Sequence, residues 1–267
     1  SDIGAINRDR DPNSTKVFPG TIQVPGDGGV QPIPVEVSGR GHSRRNPRVC
    51  SVIPIRLDFA KKDVAGTVFE GQKDLKLVTH CENSSDGEQN VLGEYLTYKI
   101  FNLLAPQSFR VRLVKVTYVD PKRDKAPVPR YGILLENDED VARRMEGRLY
   151  TVRNRLFNFI DPESLMMMTL LQYMIANTDY SIMALHNVKL VQKPSLAIYA
   201  VPYDFDYSGL VNTGYGVAAK DLEISSVRER LYRGPCKTMP ELMPFLERFT
   251  AKKDDVSVLL DRGLVLQ

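Results

Sequence analysis

Residues 204–206 read Asp-Phe-Asp and follow a run of β-type sequence, Leu196 to Val201. Side chains alternate along an extended chain, so this spacing predicts both carboxylates on one side, where they can face a single metal ion. Oxygen donors of this kind suit Mg²⁺, which takes one or two protein carboxylates and completes its shell with water and nucleotide phosphate. Taken alone, the tripeptide reads equally well as a solvated turn with its phenylalanine packed inward. Two upstream groups give it more meaning: Asn177-Thr178-Asp179 at the end of a Met- and Leu-rich stretch, and His186-Asn187 just before the next strand. Phosphoryl transfer needs a carboxylate to orient or deprotonate the attacking hydroxyl, an amide or carboxylate oxygen for a metal, and a second carboxylate between metal and phosphates. Asp179, Asn187 and Asp204 supply those groups in that order, with Asp206 as a further metal carboxylate. The plainer readings are a helix-terminal cap for Asp179 and a satisfied structural histidine for His186. For Met166-Met167-Met168 core packing is preferred over any cofactor role.

In the first half, Lys76 lies in the apolar run Leu75-Lys76-Leu77-Val78, and Glu94 in the helical stretch that follows. A strand lysine paired with a helix glutamate is how kinases hold nucleotide phosphates. An edge-strand lysine and a surface glutamate are the alternatives. Gly39-Arg40-Gly41-His42-Ser43-Arg44-Arg45 combines glycine freedom with cationic donors, as a phosphate loop requires, although Arg44 occupies the place of a third glycine.

These residues must be positioned by a chain of 267 residues, long enough for one domain with two lobes. Hydrophobic content of 42% and charged content of 26% are those of a globular protein, and no apolar run nears the roughly 18–20 residues of a membrane helix. The 36 basic and 33 acidic residues are interspersed, so no nucleic-acid partner is expected. Residues 1–15 are polar and read as a flexible N-terminal segment. Residues 16–136 form a β-rich portion, with strands at Thr21–Val24, Val35–Val37, Ile53–Phe59, Asp74–Thr79, Val111–Val119 and Tyr131–Leu135, and a helix at Val91–Leu104. The last two strands are joined by the Pro- and Lys-rich loop Asp120–Arg130. Residues 137–267 read as mainly helical: Asp138–Met145, Ser164–Ala176 behind the start signal Asp161-Pro162-Glu163, Met239–Phe249 and Asp254–Leu260. Two short strands, Val188–Gln192 and Leu196–Val201, interrupt them. Arg228 to Cys236 reads as a solvated amphipathic helix, with a substrate groove as the alternative. Cys50, Cys81 and Cys236 lack zinc-site spacing. Cys50 and Cys81 fit a disulfide between neighbouring strands or two buried thiols equally well. No basic n-region followed by an apolar stretch opens the chain.

The ordered set Arg40-Gly41-His42-Ser43-Arg44-Arg45, Leu75-Lys76-Leu77, Gly93-Glu94-Tyr95-Leu96, Asn177-Thr178-Asp179, His186-Asn187 and Pro202-Tyr203-Asp204-Phe205-Asp206 resembles the CotH kinase family. These are spore-coat protein H-like atypical protein kinases, and the resemblance runs from about Val35 to Gly216. It implies an α+β, two-lobed protein-kinase-like fold, with a β-rich N-terminal lobe and a mainly helical C-terminal lobe. The implied activity is ATP-dependent phosphorylation of a protein hydroxyl with Mg²⁺ or Mn²⁺, in an extracytoplasmic setting. Under it, Lys76 and Arg45 touch nucleotide phosphates, Glu94 holds Lys76, and Glu136 lies where adenine binds. Asp179 is the catalytic carboxylate, while Asn187, Asp204 and Asp206 serve the metal. Asp179 and Asn187 stand eight positions apart (187 − 179), longer than the ordinary kinase spacing, and Asp206 replaces the glycine of Asp-Phe-Gly. A nucleotide-binding pseudokinase, an AMP transferase or a small-molecule kinase on the same fold remain as alternatives. A carboxylate-metal hydrolase has too few histidines, three in all.

Overall fold

Alternation of branched apolar residues builds the first sheet of this mixed α+β protein. The computed structural model describes residues 1–26, 29–122 and 126–265. The chain divides into two compact units, Ser1–Val91 with Arg112–Asn137, and Leu92–Val111 with Asp138–Gln267.

In the first unit, β1 (Phe18–Gly26), β2 (Gly29–Gly39), β3 (Ile55–Asp58), β4 (Asp74–Val78), β5 (Val111–Val116) and β6 (Arg130–Leu135) form one sheet in the order β1-β2-β3-β4-β6-β5. The pairs from β1 to β4, and β4 with β6, are antiparallel. Ile33, Val35 and Val37 of β2 point inward at every second position, opposite Leu57 of β3, and Leu75 and Leu77 of β4 continue the same core. Of the loop expected between β5 and β6, residues 123–125 lie outside the described residues. The short helix α2 (Lys61–Val64) contributes Val64 to this core.

Residues 1–15 depart from the flexible segment expected of them. Ile3–Arg8 form helix α1, started by the Asp2 carboxylate, which accepts the Ala5 N–H at 2.7 Å. Ile6 is buried in the core of the sheet, and the Gly4 N–H donates to Asp120 at 2.9 Å. A polar composition concealed two apolar anchors, Ile3 and Ile6, and the Asp2 cap. Cys50 and Cys81, for which bonded and free thiols were equally open readings, form a disulfide. They lie in loops rather than strands, and the Cys81 carbonyl accepts the N–H groups of Ser51 and Val52 at 2.9 and 3.1 Å.

Helix α3 (Ser85–Leu104) starts six residues before the expected Val91 (91 − 85), and its Leu92–Leu104 portion belongs to the second unit. That unit adds α4 (Asp138–Arg144), the sheet of β7 (Arg148–Leu149), β8 (Val188–Gln192) and β9 (Ile198–Pro202), then α5 (Pro162–Met174), α6 (Met239–Ala251) and α7 (Lys253–Val265). Asp161 caps α5 by accepting the Ser164 N–H at 2.8 Å, and Pro162 occupies its first turn. Met166, Met167 and Met168 are fully buried, as packing residues should be. Met168 joins Leu165, Tyr180, Ile182, Leu190 and Ala200 in one cluster that fixes α5 against β8 and β9. Among the described residues no helix is long and apolar enough to cross a membrane.

Candidate functional site

Helix α5 ends where Ala176 takes a left-handed φ of 53°, which reverses the chain. The carbonyls of Ile175 and Ala176 are taken up by the N–H groups of Leu210 and Gly209, each at 3.0 Å. Position 209 has to be glycine, because a Cβ there would sit 2.6 Å from the Val227 carbonyl oxygen and 2.8 Å from the Ala176 Cβ. Asn177 is buried, and its Oδ1 accepts the Asp179 N–H at 3.0 Å, an Asx turn that sets the direction of residue 179. Ser181 and His186 then exchange both backbone hydrogen bonds at 2.9 Å, closing a tight turn.

That turn brings two side chains back onto Asp179. Nε2 of His186 lies 2.9 Å from Asp179 Oδ1. Nδ2 of Asn187 donates to Asp179 Oδ2 at 2.9 Å and to the Asp179 carbonyl at 2.8 Å. Both bonds use the NH₂ of Asn187, which leaves its Oδ1 as the atom able to donate an electron pair to a cation. The Asp179 carboxylate stays reachable, with a side-chain exposure of 36% against 55% for His186. The hydrogen bond to Asp179 raises the His186 pKa above the ordinary imidazole range; burial opposes this, and the charges of Asp179, Asp204 and Asp206 add to it. Those three carboxylates therefore act on one imidazole.

Asp204 arrives through the β8–β9 hairpin. Val188 pairs with Pro202, and the Tyr203 N–H donates to the Asn187 carbonyl at 3.0 Å, so the ladder continues one step past the strands and ends with Asp204 beside the Asn187 turn. Asp204 itself is left-handed, with a φ of 61°, and its N–H donates to the Tyr98 hydroxyl at 2.8 Å. Tyr98 and Phe205 are both buried and meet edge to face at 4.8 Å, which locks this reversal.

The strand alternation expected to carry from Asp204 to Asp206 ends at Asp204, whose φ is positive, although both carboxylates act on His186. Asp206 is buried, with its Oδ2 accepting the Tyr215 hydroxyl at 2.9 Å and its carbonyl accepting the Thr213 hydroxyl at 3.1 Å. Its carboxylate thus holds the segment after the hairpin. Among the described residues no three His, Cys, Asp or Glu side chains gather as a metal-holding group. Asn187 Oδ1 and the Asp204 carboxylate are oxygen donors of the type Mg²⁺ takes, an ion that relies on few protein oxygens and on phosphate and water for the rest.

The nucleotide candidates have other settings. Lys76 is half-buried on β4, opposite Leu135 of β6, and Glu136 follows that strand; both belong to the first unit. Glu94 is buried on the part of α3 that belongs to the second unit. Arg45 is a correction. It is buried in a 3-10 turn, where its guanidinium binds the carbonyls of Asp9, Asp11 and Gly39 and lies 3.5 Å from the Asp9 carboxylate. A guanidinium committed to backbone carbonyls fastens the N-terminal segment and has little left for phosphate.

Residues 228–236 are another correction, because they form no helix. Arg230 Nε donates to the Met174 carbonyl at 3.1 Å. Arg233 Nη1 binds the Thr178 carbonyl and, at 3.1 Å, the Tyr180 carbonyl, with its guanidinium 5.3 Å from the Tyr180 ring centre. Arg233 therefore grips the carbonyls of the residues on both sides of Asp179. The only advance signal of an irregular segment was Gly234-Pro235, a helix-breaking pair. No family model and no curated protein matches the chain.

Proposed function

We propose that this protein transfers the γ-phosphoryl group of ATP to a hydroxyl, with Mg²⁺ or Mn²⁺, on a two-lobed kinase-like fold of the CotH type. The observation that carries the reading is the Asp179–Asn187 pair, in which one amide orients the carboxylate through its NH₂ and keeps its oxygen for a cation. Asp179 accepts the proton of the attacking hydroxyl. His186 fixes one carboxylate oxygen and Asn187 the other, so the base is oriented before the acceptor arrives. Asn187 Oδ1 and Asp204 would hold the ion, which when bound neutralises phosphate charge. Asp206 serves this site by ordering the chain after Asp204 through Tyr215 rather than as a ligand. Lys76, Glu94 and Glu136 keep the nucleotide roles implied by the resemblance.

The acceptor is a protein hydroxyl in this reading. Titration calorimetry with ATP, with and without Mg²⁺, tests the metal site: Asp204→Asn should abolish the metal-dependent part of binding. Asp179→Asn should keep ATP affinity and lower turnover by roughly 10²–10⁴-fold. ATP labelled at the α or the γ position separates AMP transfer from phosphoryl transfer. Metal-independent ATP binding that Asp204→Asn leaves unchanged would sink the proposal. The commitment of Arg45 to the N-terminal segment removes one expected phosphate donor and favours, as a second reading, a nucleotide-binding module without turnover. Metal-dependent ATP binding with no transfer of either label would establish it.

A further inference from the structure

Beside the Asp179 turn runs a stretch of chain with no regular secondary structure, residues 150–156, leading into a 3-10 turn at Phe157–Phe159. Between Gly147 and Ile160 it carries three arginines, Arg148, Arg153 and Arg155, and no acidic residue. Large apolar side chains stand out from it: Val152 is 47% exposed, Leu156 56%, Phe157 36% and Phe159 48%. Met183, inside the turn that returns His186 to Asp179, is exposed at 47%, and its carbonyl accepts the Asn154 N–H at 2.8 Å. That hydrogen bond ties the apolar stretch to the catalytic turn. Arg148 bonds Gln192, but Arg153 and Arg155 have no carboxylate partner among the described residues. Arg153 is exposed, whereas the Arg155 guanidinium is held 5.6 Å from the Tyr150 ring centre and 5.0 Å from that of Phe159. Stacking of this kind fixes a guanidinium in place before any anion meets it. Exposed aromatic and aliphatic groups beside arginines are the composition of a recognition surface rather than of a solvated one.

We infer that residues 152–159, with Met183, dock the acceptor of the proposed phosphoryl transfer, and that this acceptor is a protein segment combining acidic and apolar residues. The inference rests on the phosphotransferase reading for the word acceptor, and on the exposed basic and apolar stretch for the docking. The absence of any acid over this stretch decides the charge of the occupant: carboxylates complement Arg153 and Arg155, and apolar side chains cover Leu156, Phe157 and Phe159. Because Met183 lies four positions beyond Asp179 (183 − 179), a hydroxyl presented to Asp179 would have its recognition residues a short distance along the same segment.

Fluorescence anisotropy on the full chain, without ATP, measures the docking alone. The probes are a labelled serine peptide bearing Glu, Asp, Leu and Phe, and the same peptide with Lys at each acidic position. The acidic peptide should bind at least about tenfold more tightly, with an affinity that falls as salt rises. Arg153→Glu with Arg155→Glu should remove the preference. Arg153→Glu alone, at an exposed position that makes no stacking contact, should weaken it without a change in the unfolding midpoint. Equal binding of the two peptides, or a preference that both variants keep, overturns the inference. So does a result in which phosphatidylserine vesicles bind through Arg153 and Arg155 while the acidic peptide does not. In turnover assays the charge reversals should raise KM for the acidic peptide and leave kcat in place. Acidic-peptide binding without phosphate transfer defeats the enzymatic reading and supports the docking surface; transfer with no acidic preference defeats the docking surface and supports the enzymatic reading.

Discussion

Arg233 is the residue whose removal most directly tests how Asp179 is held. Its guanidinium binds the carbonyls of Thr178 and Tyr180, the two residues that flank Asp179, and lies over the Tyr180 ring. Each hydrogen bond from a charged donor contributes about 1.5–3 kcal/mol, and the ring contact about 0.5–1 kcal/mol. Arg233 is half-buried, so water replaces part of what Arg233→Ala removes, and the expected loss is about 2–3 kcal/mol in urea unfolding. Arg233→Lys keeps a charge but has no planar fork to span two carbonyls, so it should recover only part of that stability. The functional consequence is larger than the stability loss. Under the proposed function Asp179 is the base, and displacing such a carboxylate by about an ångström costs on the order of 10²-fold in rate, so Arg233→Ala should lower kcat by that order while ATP affinity stays near the wild-type value. Hydrogen exchange should show the Asp179 and Tyr180 amides losing protection together. If kcat stays within about twofold of wild type although stability falls as expected, Arg233 acts on the fold alone and the positioning argument is wrong.

The other expectations concern separate parts of the chain. Replacing both Cys50 and Cys81 by serine opens a loop with a sequence separation of 31 and should cost about 3–4 kcal/mol by the chain-entropy account, measured by denaturation of the variant and of the reduced wild type. Burial holds the His80 pKa below its ordinary value of 6.5, against the hydrogen bond with Asn83; the charge of Arg130 also lowers it and that of Glu88 raises it. The unfolded chain therefore binds the proton more readily, so this stability is fully present above about pH 6.5 and falls as pH drops toward the folded pKa; His80→Gln should flatten that part of a melting-temperature profile. Asp161→Ala removes the cap of α5 and should lower stability by about 1 kcal/mol in chemical denaturation. Asp204 has a φ of 61°, so Asp204→Gly should be more stable than Asp204→Ala by about 1 kcal/mol, while calorimetry shows both losing metal-dependent ATP binding alike.

What the sequence disclosed was local. Val35 and Val37 betray the end of β2 through their spacing, and Asp161-Pro162 announces α5 because a cap and a fixed φ act within one turn. Helix α1 shows no readable periodicity because it is six residues long, and apart from its Asp2 cap what stabilises it lies far along the chain, in the core around Ile6 and at Asp120. The site divides in the same way. Asp179, His186 and Asn187 lie within nine residues (187 − 179 + 1), and one turn brings them together, so their order could be read as chemistry. The groups that hold this arrangement come from afar: Tyr98 reaches Asp204 across 106 positions, and Arg233 reaches Thr178 across 55. Neither leaves a periodic trace, because a tyrosine hydroxyl or a guanidinium selects its carbonyl or N–H partner by geometry in the folded state. Asp204 shows the cost of reading local pattern alone. Alternation would pair its carboxylate with that of Asp206, yet the Asp204 N–H bond to Tyr98 and the burial of Phe205 accompany a left-handed turn that ends the alternation there. In the proposed metal site this favours Asp204 as a ligand, because a residue held off the extended path has its backbone fixed independently of any ion.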